Sequence, residues 1–222
     1  MLADLLPSTV AAVEVRTDPV GVALFPEEED HVRDAVPKRR AEFAAVRWCA
    51  RTAMAELGVP PAPVVPGRRG APAWHPELTG SMTHCAGYRA AALARREDFA
   101  SVGIDAEPDL PLPDGILEEI SLGPERRQVT ALLAGHPGIA WDRLLFSAKE
   151  SVFKAWYPVT GLELGFHQAL ITFDPARRGF TARLLTGAGG ARAPRAFTGR
   201  FAAEDGILAT AIAHTAHALV PA

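Results

Sequence analysis

Two widely separated segments with helical periodicity limit the folds that this chain can adopt. In the first, residues 36–57, apolar residues recur at three- and four-residue spacing and form a single stripe. The second covers about residues 139–157, and Pro158 and Gly161 are expected to end it. The strand-like segments around these helices do not alternate with them regularly. This order predicts an α+β fold and disfavours a doubly wound parallel sheet.

The strand-like segments are short, and turn-forming residues separate them. They are predicted at residues 11–15, 88–94, 101–106, 169–173, 180–185, 197–201 and 207–213, with short helices at 116–120 and 124–133. The connection 60–74 and the loop 186–194 contain too many breakers for regular structure. A proline-containing linker at 108–113 divides the chain into residues 1–108 and 109–222, which we expect to form one compact unit.

Composition and charge exclude several functional classes. The formal charge of −3 argues against a general nucleic-acid-binding protein, so an anionic ligand would need a local arginine cluster. Two cysteines, Cys49 and Cys85, are too few for a disulfide framework and match no metal-ligand spacing. The first 19 residues predict neither a signal peptide nor a membrane span, and we therefore expect a cytoplasmic protein. The acidic run 27–30 is predicted to be a solvated loop or a helix start.

A pair of carboxylates lies in the segment Gly-Ile-Asp-Ala-Glu-Pro. Asp105 and Glu107 are two residues apart in a predicted strand, so they project from the same face. Two carboxylates that close repel each other unless a cation or a proton lies between them, and Mg²⁺ prefers such oxygen ligands. The alternative is a solvent-facing acidic strand end beside a turn.

The second helical segment contains two of the chain's three lysines, Lys149 and Lys154, on either side of Glu150. Glu150 and Lys154 are four residues apart and share a helix face. They could form an ordinary surface pair, or Glu150 could complete a capping box with Ser147 at a helix start. The functional interpretation is a third metal ligand or general base beside an ammonium group that binds phosphate.

Hydroxyl groups and arginines supply candidate phosphate ligands. Residues 80–85, Gly-Ser-Met-Thr-His-Cys, are predicted to form a turn in which His84 and Thr83 could bind a phosphate. Guanidinium groups bind phosphates with two hydrogen bonds, and the candidates are Arg39, Arg47, Arg68 and Arg69. The alternatives are a structural histidine and solvated arginines.

The order of these motifs resembles the Sfp/EntD-type phosphopantetheinyl transferases, most closely those of actinobacteria. The resemblance covers about residues 39–165 and is specific in RRAEFAAVRWCAR, GSMTHCAGYR, SVGIDAEP and WDRLLFSAKESVFKAWYP. It implies transfer of the phosphopantetheine arm of coenzyme A to a serine of an acyl or peptidyl carrier protein, with release of adenosine 3′,5′-bisphosphate. It also implies two α+β subdomains related by a pseudo-twofold axis, with the active site in the cleft between them.

The resemblance assigns roles to the candidate residues. Asp105, Glu107, Glu150 and the carbonyl of Ala106 would hold Mg²⁺, with Mn²⁺ as an alternative. Glu150 would also deprotonate the carrier serine, and Lys154 would bind the pyrophosphate of coenzyme A. The remaining coenzyme A contacts are implied for Arg39, Arg47, Thr83 and His84 and for the loop containing Gly67, Arg68 and Arg69. Relatives often carry a basic residue at the position of Pro66, and here the positive charge lies at Arg68 and Arg69.

Two other functions fit part of the pattern. A metal-dependent nucleotide pyrophosphohydrolase also needs clustered carboxylates, but the acidic helix typical of such enzymes is missing. A non-catalytic module that binds coenzyme A would not need Asp105, Glu107, Glu150 and Lys154 together. The resemblance implies carrier proteins of fatty-acid, polyketide or peptide synthases as partners. It also implies a monomer, because family members of this length are commonly monomers and no coiled-coil heptads suggest otherwise.

Overall fold

The computed structural model describes residues 1–190 and 193–216, so positions 191 and 192 of the predicted loop 186–194 lie outside the described residues. The helices are α1 (Pro26–Glu29), α2 (Pro37–Glu56), α3 (Ile116–Ile120), α4 (Gly123–Gly135) and α5 (Trp141–Thr160). The strands are β1 (Ala11–Val15), β2 (Leu78–Cys85), β3 (Tyr88–Arg95), β4 (Phe99–Pro108), β5 (Ala169–Asp174), β6 (Gly179–Leu184), β7 (Ala196–Glu204) and β8 (Ile207–Thr215). The predicted α+β class is confirmed.

The strands form two antiparallel sheets. The first has the order β1-β3-β2, and the second has the order β4-β8-β7-β6-β5. The boundary between the sheets therefore falls between β3 and β4, because β4 pairs with β8 although it precedes the linker at 108–113. The division into residues 1–108 and 109–222 stays a prediction.

Each long helix covers one sheet. The apolar stripe of α2, which includes Cys49, Ala53 and Met54, is buried against β1, β2 and β3. Trp141, Leu144 and Trp156 of α5 belong to a second core with α4 and strands β5 to β8. A third core lies between the sheets, where β3 contributes alanines and β4 and β8 contribute apolar side chains. The central core packs the two sheets against each other.

Two local predictions were wrong. Residues 80–85 are part of strand β2 and not a turn. A tertiary contact stabilises the strand: the hydroxyl groups of Ser81 and Thr83 accept hydrogen bonds from the backbone N–H groups of Ile104 and Ala106, and these bonds hold β2 against β4. Pro158 lies inside α5 but only two residues before the helix ends at Thr160, so the hydrogen bond that it removes and the clash of its ring affect only the end of the helix. Gly161, with φ 67°, then ends it.

The capping-box alternative at Ser147 was also wrong, because α5 begins at Trp141. The acidic run is a helix start, as predicted, but Glu28 is not solvated. Its carboxylate is fully buried and accepts hydrogen bonds from Arg51 (2.8 Å) and from the backbone of Val64 (2.8 Å). None of the helices within the described ranges is long and apolar enough to cross a membrane.

Candidate functional site

Helix α5 lies directly on strand β4 because residue 103 is glycine. A Cβ atom at Gly103 would lie 2.1 Å from the carbonyl oxygen of Ser151 and 2.8 Å from the backbone nitrogen of Ala155. Real Cβ atoms do not approach other atoms so closely, so a side chain here would force the helix away. The contact brings Lys154 within hydrogen-bonding distance of β4.

Asp105 is the centre of the polar cluster between these elements. Its Oδ1 accepts hydrogen bonds from Lys154 Nζ (2.8 Å) and from Thr83 Oγ1 (3.2 Å). Lys154 Nζ also donates to the carbonyl of Ile104 (3.1 Å). The Asp105 side chain is buried, and its Oδ2 has no hydrogen-bond partner among the residues that the structure describes. A buried, unpartnered carboxylate oxygen is unfavourable unless a ligand completes its coordination.

The side of α5 that faces β4 and β8 carries a polar stripe, formed by Arg143, Ser147, Glu150 and Lys154. Their spacing of four, three and four residues places them on one helix face. Arg143 Nη1 donates to Glu107 Oε2 (3.1 Å), and the hydroxyl of Ser147 lies 2.9 Å from that of Thr210. Along the helix, Glu150 thus lies between Arg143, which binds Glu107, and Lys154, which binds Asp105.

The charges of this cluster affect the ionisation of Glu150 and Glu107. Burial raises the pKa of Glu150. The positive charge of Lys154 opposes this increase, and the negative charges of Asp105 and Glu107 add to it. Burial and the charge of Asp105 raise the pKa of Glu107, and Arg143 opposes both. The three negative charges therefore act on one another, and a cation between them would relieve the repulsion.

The donor set fits a hard divalent ion. No group of three or more Asp, Glu, His or Cys side chains within residues 1–190 and 193–216 is arranged to hold a metal ion. The free Oδ2 of Asp105 and the purely oxygen-containing set nevertheless match what Mg²⁺ requires. Ala106 is buried between the two carboxylates, with its N–H bound to Thr83 Oγ1 (3.1 Å).

Lys149 does not belong to the stripe. Its ammonium group is buried and donates to Glu125 (2.9 Å) and to the carbonyls of Phe166 (2.6 Å) and Ala169 (2.9 Å). Glu125 in turn accepts hydrogen bonds from the N–H groups of Leu122 and Ile171. Every donor of Lys149 is used, so this lysine ties α4, α5 and β5 together and is not free to bind phosphate.

Several predicted phosphate ligands line a cavity of about 240 Å³. They are Arg39, Arg47, Thr83 and His84, and Pro66 also lies in the wall. Arg39 Nη1 lies 2.9 Å from His84 Nε2. Since a guanidinium can only donate, this contact makes Nε2 an acceptor and the imidazole neutral. Burial, together with the charge of Arg39, accordingly lowers the pKa of His84.

Arg47 makes more structural contacts than the sequence indicated. Its guanidinium lies 3.2 Å from the centre of the Phe43 ring, and its Nε donates to the carbonyl of Val64 (3.1 Å). Burial lowers the pKa of Arg47 to about 10. Arg47 therefore borders the cavity as a largely buried cation.

The loop Gly67–Gly70 is a tight turn that separates two cavities. Arg69 has φ 59°, and its Nε lies 2.6 Å from Glu163 Oε1, beyond the end of α5. Arg69 thus points towards α5 and away from His84, and Arg68 is exposed. The second cavity, of about 510 Å³, has Trp74, Met82, Phe153 and Tyr157 among its apolar walls, with Glu150 and Lys154 also in its lining.

Sequence reasoning assigned no role to Arg143 or to Glu28. Arg143 could have been found from its spacing of seven residues to Glu150 and eleven to Lys154, which places all three on one helix face. No local signal marks Glu28, because its burial depends on Arg51 and Val64, which are distant in sequence.

Comparisons with known proteins agree with this architecture. Residues 27–94 match the model of the 4′-phosphopantetheinyl transferase N-terminal domain, and residues 101–199 match that of the 4′-phosphopantetheinyl transferase superfamily. The chain is 56% identical to the 4′-phosphopantetheinyl transferase Svp of Streptomyces mobaraensis over 98% of this chain and 91% of that protein. It is 44% identical to PptT of Mycobacterium tuberculosis (96% and 97% covered) and 43% identical to Npt of Nocardia iowensis (96% and 100%), both 4′-phosphopantetheinyl transferases. The chain therefore belongs to the 4′-phosphopantetheinyl transferases, enzymes that transfer the phosphopantetheine arm of coenzyme A to carrier proteins.

Proposed function

We propose that this enzyme transfers phosphopantetheine in a Mg²⁺-dependent reaction at the contact between α5 and β4, with Mn²⁺ as an alternative metal. The observation that carries the proposal is the unpartnered Oδ2 of Asp105 beside Lys154. Asp105, Glu107, Glu150 and the carbonyl of Ala106 would hold the ion. When bound, the ion would neutralise charge on the pyrophosphate of coenzyme A.

Glu150 is the proposed general base. It would accept the proton of the carrier serine, directly or through a water molecule, while the serine oxygen forms a bond to the phosphorus that carries the pantetheine arm. The bond from that phosphorus to the oxygen of adenosine 3′,5′-bisphosphate breaks, and the electron pair leaves with the bisphosphate. A raised pKa makes Glu150 a stronger base than an ordinary glutamate.

Lys154 would stabilise the charge that develops on the departing bisphosphate. In the free protein its ammonium group is held by Asp105 and by the carbonyl of Ile104. A pyrophosphate would compete with these acceptors for the same three donors. Metal binding at Asp105 would favour the transfer of Lys154 to the pyrophosphate, since the metal ion and Lys154 use the same carboxylate.

The two cavities suggest how coenzyme A is placed. We assign the 3′-phosphate end to the smaller cavity, with Arg39, Arg47 and His84, and the nucleotide to the loop containing Gly67, Arg68 and Arg69. The apolar walls of the larger cavity suit the pantetheine arm, whose reactive end would lie near Glu150 and Lys154. Thr83 would act mainly through Asp105, because its hydroxyl group is already bound there.

We further propose a monomeric, cytoplasmic enzyme whose partners are carrier domains of fatty-acid, polyketide or peptide synthases and not nucleic acids. The net charge of −3 supports the last point. The repeated arrangement of one 20-residue helix on an antiparallel sheet supports a pseudo-twofold relation between residues 1–108 and 109–222.

Intact-protein mass spectrometry of an apo carrier protein incubated with this enzyme, coenzyme A and Mg²⁺ tests the proposal. We expect the carrier to gain one phosphopantetheine, and replacement of Mg²⁺ by a chelator should abolish the gain. Asp105→Ala and Glu150→Gln should each abolish transfer in a folded protein, whereas Glu97→Gln, on an exposed turn, should not. Hydrolysis of coenzyme A without a carrier would favour a pyrophosphohydrolase. Binding without transfer to any carrier would favour a non-catalytic module.

A further inference from the structure

Arg143, in the first turn of α5, uses all three guanidinium nitrogens. Nη1 donates to Glu107 Oε2 (3.1 Å), Nε donates to the carbonyl of Leu110 (3.1 Å), and Nη2 donates to the carbonyl of Pro111 (2.9 Å). A lysine could not reproduce this contact, because its donors all lie on one nitrogen, whereas here three separate guanidinium nitrogens each reach a different acceptor. The side chain therefore connects a proposed metal ligand with the segment that follows β4.

Further contacts hold that segment against the start of α5. Asp142 accepts a hydrogen bond from the N–H of Leu112 (2.8 Å). The backbone N–H of Ala140 donates to Asp109 (2.8 Å). The acceptors of Arg143 are consequently fixed before any ligand arrives, and so is the guanidinium.

The contact with Glu107 occupies only one carboxylate oxygen. Oε2 binds Arg143, while Oε1 accepts no hydrogen bond from the rest of the described chain. The two side chains are similarly shielded, with exposed fractions of 19% for Arg143 and 21% for Glu107. A largely shielded ion pair of this kind orients a carboxylate and leaves one oxygen free.

We propose that Arg143 is a positioning residue for the transferase site: it orients Glu107 so that its free oxygen can bind the metal ion. This inference rests on the metal role proposed above for Glu107. Partners that hydrogen-bond a metal-ligating carboxylate fix its direction, and their loss weakens metal binding or activity by roughly 10- to 100-fold. Arg143 acts at one end of the polar stripe and Lys154 at the other.

Mn²⁺ binding to the complex with coenzyme A, measured by electron paramagnetic resonance without a carrier protein, tests the proposal. A titration of coenzyme A alone corrects for metal bound to the free nucleotide. We expect Arg143→Gln to weaken Mn²⁺ binding by about 10-fold or more. Glu107→Gln should weaken it as well, and the double variant should bind no more weakly than Glu107→Gln alone, because both changes remove the same interaction.

Arg95→Gln is the matched control, because Arg95 also bridges a carboxylate, that of Glu77, and a backbone carbonyl, that of Leu57, and contacts no residue of the polar stripe. It should leave Mn²⁺ binding unchanged. If Arg143→Gln weakens Mn²⁺ binding by the same factor in the Glu107→Gln background as in the wild-type enzyme, the role of Arg143 is purely structural and the inference is overturned. Normal Mn²⁺ binding by Arg143→Gln when Glu107→Gln binds weakly would also overturn it. Unchanged binding by Glu107→Gln would overturn both the inference and the metal role of Glu107.

Discussion

Substitution of Gly103 by alanine tests whether the close contact of α5 with β4 creates the active site. The new Cβ would lie 2.1 Å from the carbonyl oxygen of Ser151, and ordinary contact begins near 3.4 Å. The two elements must therefore separate locally by about 1.3 Å. The same displacement would lengthen the 2.8 Å contact between Lys154 and Asp105 to about 4 Å, which is too long for a hydrogen bond.

We expect this change to affect both stability and catalysis. Overpacking of a buried contact costs about 1–3 kcal/mol, which urea unfolding would measure as a lower free energy of unfolding. A shift of roughly 1 Å in catalytic groups costs about 100-fold in rate, so kcat/KM for carrier modification should fall by about that factor.

Gly165→Ala is the matched control for Gly103→Ala. At Gly165 the backbone has φ −75°, and a Cβ atom would meet only a side-chain oxygen of Gln168 at 3.6 Å. This variant should keep wild-type stability and kcat/KM, although it also lies beside α5. A Gly103→Ala variant with wild-type kcat/KM and unfolding free energy would refute the reasoning.

Three further predictions concern other contacts. Lys149→Met leaves the carboxylate of Glu125 buried without its cation and should lower the free energy of unfolding in urea by about 3–5 kcal/mol; a loss below about 1 kcal/mol would contradict a structural role. Thr83→Val leaves the N–H of Ala106 unpaired and should cost about 1–3 kcal/mol in the same assay, whereas Thr83→Ser should not. Burial lowers the pKa of His84, so the ring is neutral at pH 7, and phosphate binding favours its protonated form; the affinity for coenzyme A should rise as the pH falls from 8 to 6, and a His84→Asn variant with the same pH profile would contradict this.

The elements with strong local signals could be predicted from the sequence. Seven strands and the two long helices follow from apolar periodicity and from breakers such as Gly58 and Gly161, both with positive φ. Strand β2 could not be predicted in this way. Its glycine and hydroxyl residues have weak strand signals, and what stabilises it is the pairing of Ser81 and Thr83 with β4, which is distant in sequence.

The same distinction between local signals and contacts distant in sequence applies to the candidate site. Spacing placed Asp105 and Glu107 on one strand face and Glu150 and Lys154 on one helix face, and the resemblance to a known family then assigned their roles. Which partner each side chain holds could not be predicted, since the pairing depends on how α5 lies on β4. Arg47 shows the limit most clearly: its charge predicted a phosphate ligand, but its main contacts are Phe43 and the backbone of Val64.

The pairing of β4 with β8 has a consequence for synthesis on the ribosome. The two strands meet where Pro108 lies opposite Ile207, about 100 residues later in the chain. At a translation rate of about 5–20 residues per second, β4 waits roughly 5–20 s for its neighbour. During that interval the strand that carries Asp105 has an unpaired edge, which could pair with another chain. The newly made enzyme therefore acquires its activity only when the last strand of the second sheet has emerged from the ribosome.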